Sequence, residues 1–103
     1  MREQSTNFDV VAVNELELWV RNHPESYNFM RAVYNTLNRK RVNETYKSEL
    51  AIKAFYNVAE YAAKSYAKTF NDSSTPWYKT FTTATRREVA KILLIEYEEE
   101  VEG

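Results

Sequence analysis

The chain has 103 residues, is 44% hydrophobic, 15% aromatic and 28% charged, and carries a formal net charge of −1. That is one domain's length, with too much apolar and aromatic content for a disordered chain. With no Cys it has no disulfide, thiolate ligand or thiol nucleophile, and with its single Gly at the last position, Gly103, it has no phosphate-cradling Gly-rich loop.

Glycine poverty also disfavours tight β-hairpins and favours helices joined by short loops. The opening MREQSTNFDV lacks the apolar run of a signal peptide, and no stretch approaches the ~20 apolar residues of a membrane span. A reducing, cytoplasmic setting away from membranes is the expectation.

Residues 1 to 9 are polar and read as loose. Asp9 is placed to cap a first helix over Val10 to Arg21, with Asn14 a competing start. Val13, Leu16, Val20 and Trp19 suit its inner face. Asn22-His23-Pro24 breaks that helix, and Pro24 suits the first turn of the next.

The second helix is expected from about Pro24 to Arg41. Tyr27, Met30, Val33, Tyr34 and Leu37 form its buried stripe, and Arg39, Lys40 and Arg41 complement its C-terminal dipole. Val42 to Tyr46 reads as a loop.

The third helix, about 48–70, carries Leu50 or Ala51, Ala54, Phe55, Val58, Tyr61 or Ala62, Ser65 or Tyr66, and Thr69 along one line. Small Ala54, Ala62 and Ala63 let a neighbour approach closely, which marks this helix as central. Asn71 to Ser74 is a turn cluster. Thr75-Pro76 reads as an N-cap and first helical residue before a short helix over Trp77 to Phe81. The last helix starts near Thr82 to Thr85, with Thr85 and Glu88 spaced as a capping box and an earlier start at Thr82 or Thr83 equally readable. Its apolar line is Val89, Ile92, Leu93, Tyr97 and Val101.

Charge is segregated along the chain. Residues 31–91 hold 12 Lys and Arg against 5 Asp and Glu, while residues 92–103 hold 5 Glu and no base. The basic centre, interleaved with Tyr46, Tyr56, Tyr66, Trp77 and Tyr78, has the composition that meets phosphate or single-stranded nucleic acid. The plainer reading is a solvated helix face at Lys53, Lys64 and Lys68, with the acidic tail folding back to neutralise the centre. A sequence pI near 5.9 favours the plainer reading.

No catalytic constellation stands out. His23 is the lone histidine and, beside Pro24, reads as a turn or capping residue. Glu96, Glu98, Glu99, Glu100 and Glu102 lack the Glu-x-x-His partner of a bundle metal site and read as a solvated, fraying helix end. Arg86-Arg87 puts positive charge at a helix N-terminus, which asks for compensation by Glu60, Asp72 or an external anion. Trp19, Trp77, Tyr78 and Phe81 read as core or as a recognition patch. Fifteen aromatics exceed what one small core hides, so some are expected at an interface.

The run Thr45-Tyr46-x-Ser48-Glu49-Leu50-Ala51-x-Lys53-x-Phe55, followed by Ala62-Ala63-Lys64-x-Tyr66-x-Lys68, resembles a family of small uncharacterised proteins encoded in bacteriophage genomes. Phe81-x-x-x-Thr85-Arg86-x-x-Val89-Ala90, the acidic C-terminus and the opening Glu15-Leu16-Glu17-Leu18-Trp19 fit the same pattern, over about Asn14 to Glu100. Lys47 departs from it, because the family commonly has a helix-capping Asp there, leaving Thr45 or Ser48 to cap the third helix. The resemblance implies a phage origin and life in the cytoplasm of an infected bacterium, and it brings no established activity.

The expectation is one all-α domain: four or five helices in a small antiparallel bundle around the long third helix. The function expected is non-enzymatic binding of a host protein or defence component, with no cofactor and no metal. The working surface would be Arg39, Lys40, Arg41, Lys53, Tyr56, Lys64, Arg86 and Arg87. The alternative is nucleic-acid or nucleotide binding by the same residues. An enzyme would need a desolvated Glu that the sequence does not reveal. Homo-oligomerisation is compatible with the aromatic excess.

Overall fold

A computed structural model describes residues 9–39, 44–70 and 76–102. Among them are helices α1 (Val10–Asn22), α2 (Pro24–Arg39), α3 (Glu44–Phe70), α4 (Trp77–Thr80) and α5 (Thr83–Glu102), and no strand. The protein is all-α. α3 packs on each of the other four helices, most extensively on α5, and is the centre of the bundle. No helix among the described residues is long and apolar enough to cross a membrane.

The helix starts follow local chemistry. The Asp9 carboxylate accepts from the Val11 N–H at 2.9 Å, so Asp9 rather than Asn14 caps α1. α3 begins at Glu44, one turn before the expected start. Positions 45 and 48, the expected caps, therefore lie within the helix range and not before it. Pro76 is the N-cap of α4, not its first helical residue, and makes no side-chain cap. At α5 the earlier start prevails: the Thr82 hydroxyl accepts from the Thr85 N–H at 3.3 Å, and Thr85 itself is buried inside the first turn.

Leu16, Val20, Leu37, Phe55, Val58, Phe81, Val89 and Leu93 form the largest part of the core. Ala59, Ala62 and Ala63 are wholly buried on α3, which lets its neighbours approach its backbone closely. Tyr34, Phe55 and Tyr97 join α2, α3 and α5 through edge-to-face and tilted ring contacts at 5.1 to 6.0 Å. Tyr27 stands outside this core, 40% exposed, because the inner position on the first turn of α2 is taken by Ser26.

The acidic end of α5 meets α1 and, through Arg31, the start of the basic 31–91 segment; among the described residues it makes no ion pair with a lysine of α3. Glu96 pairs with Arg21, which also bonds Glu17 at 2.6 Å, and Glu100 pairs with Arg31 at 3.2 Å. Burial works against the Arg21 charge, but its two carboxylate partners outweigh it and raise the Arg21 pKa above its ordinary value.

Candidate functional site

α3 and α5 pack along their length, and the seam between them opens outward as a groove of about 410 Å³. Ile52, Lys53, Tyr56 and Asn57 line it from α3, and Arg87 and Lys91 from α5. The helical repeat explains the set. Residues 53 and 57, like 87 and 91, are one turn apart and present the same face. Ile52 and Tyr56 supply an apolar floor, and the cationic tips of Lys53, Arg87 and Lys91 ring it. Among the described residues none of these three cations has a carboxylate within ion-pair distance. The groove is an electropositive, apolar-floored cleft.

Arg86 lies beneath this surface. It is 7% exposed, and its Nε donates to the Phe81 and Thr82 carbonyl oxygens at 3.1 and 3.3 Å. Another guanidinium nitrogen donates to the Thr83 hydroxyl at 3.1 Å. Its guanidinium carbon sits 5.5 Å from the Tyr56 ring centre and 4.8 Å from that of Trp77. Compensation for the charge at the start of α5 therefore comes from carbonyl oxygens and aromatic faces. Glu60 is engaged elsewhere, with Lys64 at 3.8 Å, and Asp72 lies outside the described residues.

Of the residues singled out from sequence, Lys53, Tyr56 and Arg87 meet in the groove. Lys64 is not among the lining residues; its ammonium lies 5.2 Å from the Trp77 ring centre. Arg39 closes α2, and Lys40 and Arg41 lie outside the described residues. Lys91 and Asn57 were not singled out. The one-turn spacing from Arg87 and from Lys53 was the signal that could have found them. Phe81 belongs to the core, Trp19 and Trp77 are half-buried, and Tyr78 is 52% exposed.

A second polar cluster surrounds His23. Its backbone N–H donates to the Trp19 carbonyl at 2.8 Å and closes α1, while its carbonyl accepts from the Tyr27 N–H at 2.9 Å and opens α2. The imidazole Nδ1 accepts from the Ser26 N–H at 3.3 Å and meets the Ser26 hydroxyl at 2.8 Å. The Ser65 hydroxyl oxygen lies 3.2 Å from Nε2 and 3.4 Å from Nδ1, against the imidazole between its two nitrogens. Ser65 accepts from the Trp19 indole N–H at 3.3 Å. His23 and Ser26 thus cap the start of α2, and Ser65 with Trp19 ties that cap to α3 and α1. Among the described residues no three His, Asp or Glu side chains converge as metal ligands.

No protein-family model matches the chain, and no curated protein or solved structure matches it either.

Proposed function

We propose that this is a non-enzymatic binding protein, made by a bacteriophage, whose α3–α5 groove docks an acidic segment of a host protein or defence component. The observation that carries this reading is the ring of Lys53, Arg87 and Lys91 around an apolar floor, without a carboxylate partner among the described residues. An amphipathic helix lays apolar side chains into such a groove, and acidic residues on its flanks meet the cations. Charge complementarity speeds the encounter and selects the partner. Phage origin and cytoplasmic life enter this reading from the resemblance over Asn14 to Glu100.

The test is affinity capture of the tagged protein from host lysate with and without nuclease, beside a K53E/R87E variant. A host protein retained after nuclease by the native chain and lost by the variant supports the reading. Absence of any such protein, in conditions that keep the fold, removes it.

Nucleic-acid binding is the second reading, favoured by Tyr56 lying among three cations, a stacking ring beside phosphate-binding charge. Three phosphates neutralised on a single strand predict a log–log salt slope of about −2. Affinity for a single-stranded oligonucleotide that is unchanged between low and moderate salt would remove it.

A further inference from the structure

The outer face of α5 changes sign along its length. Arg87 and Lys91 stand in its first half and Glu98 and Glu99 in its second, with Leu94 and Ile95 between. Lys91, Ile95 and Glu98 follow one another at spacings of four and three residues and so share a face. Lys91, Glu98 and Glu99 are exposed, Ile95 is 53% exposed, and Leu94 is half-buried. Unlike Glu96 and Glu100, neither Glu98 nor Glu99 is in an ion pair among the described residues.

This pattern is self-complementary. We infer that two copies of the chain associate through α5, antiparallel, about a two-fold axis passing between Leu94 and Ile95. In that register Lys91 of each copy stands opposite the partner's Glu98, and each Ile95 stands opposite the partner's Leu94. The symmetry makes two identical ion pairs from one residue pair, with the apolar residues between them, as an isologous interface requires. A parallel pairing would set Lys91 against Lys91 and Glu98 against Glu98, so charge excludes it.

One helix face offers a small interface, so the association is weak and dependent on concentration and salt. It is tested on the purified chain alone, so its failure leaves the docking of an acidic partner untouched. Sedimentation at low salt, from about 1 µM to about 1 mM, is expected to show a monomer–dimer equilibrium. K91E and E98K should each weaken it at least about tenfold by setting like charges opposite, and the double variant K91E/E98K should restore it. The chain has no cysteine, so I95C gives a single thiol beside the axis. Mild oxidation should cross-link it at concentrations where the native chain dimerises, while Y27C, 40% exposed on α2, should not cross-link. A monomer over the whole range would overturn the inference. So would a dimer that neither reversal weakens, or one in which I95C does not cross-link.

Discussion

Arg86 carries its guanidinium carbon 4.8 Å from the centre of the Trp77 ring while its Nε bonds the carbonyls of Phe81 and Thr82. One side chain thus ties α4 to the start of α5. It places a cation where the helix dipole is unfavourable and offsets this with carbonyl oxygens and two ring faces. Without Arg86 the Trp77 ring loses its inner cation and the two carbonyls lose a charged donor. R86A is expected to cost about 1–3 kcal/mol of stability. R86K should retain part of it, because an ammonium keeps the charge without the planar fork. Thermal melting reads the effect, and the tryptophan fluorescence of R86A should shift as Trp77 loosens. An R86A melt equal to the native one would contradict this role.

Ser65 is the meeting point of α1, α2 and α3, accepting from the Trp19 indole and lying 3.2 Å from His23 Nε2. S65A leaves the Trp19 indole N–H half-buried and without this acceptor, and removes the hydroxyl against His23, at an expected cost of about 1–2 kcal/mol. H23A removes the side-chain acceptor at the start of α2 and is expected to cost about 0.5–2 kcal/mol. The two residues share one network, so the double variant should cost less than the sum of the singles. A double-mutant cycle by urea denaturation checks this, and strict additivity would dissolve the network.

Much of the fold was legible because its signals are local. Asp9, the Asn22-His23-Pro24 break and the 3–4 spacing of Met30, Val33, Tyr34 and Leu37 act within one or two turns, and the helices follow them. What was not legible depends on side-chain bonds and on distant residues. Ser26 holds the inner face in place of Tyr27 and bonds His23 one turn away, and Ser65 joins that cluster from 42 residues away. The tail carboxylates find Arg21 and Arg31, a choice fixed by how α5 crosses α1 and α2. The candidate site was half legible for the same reason. Lys53, Tyr56 and Arg87 stood out as charge and aromatic content, and one-turn spacing pointed on to Asn57 and Lys91, but only the α3–α5 seam brings the two helices' residues into one groove and places Arg86 beneath it.

Phe55 is wholly buried on α3, with the rings of Tyr34 and Tyr97 at 5.7 and 6.0 Å. F55A opens a cavity at the junction of three helices and is expected to cost about 3–5 kcal/mol. That is a large share of the stability of a domain this size. F55L keeps most of the volume and should cost less than half as much. Comparing the two by chemical denaturation separates lost packing from lost helix propensity, which would leave the two variants nearly equal.

Tyr34 makes the protein sensitive to alkali. Burial raises its phenol pKa above the ordinary 10.0, Glu96 and Glu100 push it further the same way, and Arg31 and Arg21 oppose them. Tyr66 is raised too, by burial and by Glu15. A phenol that holds its proton longer in the folded state than in the unfolded one binds more protons when folded, wherever the two states differ. Stability is therefore fully present below the unfolded value of 10.0 and falls as pH rises through the folded value. Denaturation midpoints should be level with respect to these groups from about pH 8 to about pH 9.5 and decline above about pH 10. Lysines titrate in the same range, so the decline is read against Y34F, which keeps the ring contacts with Phe55 and Tyr97 and removes the phenol. Y34F should decline less steeply than the native chain, and Y34F/Y66F less steeply still. Parallel declines in all three would mean that the Tyr34 and Tyr66 phenols take no part.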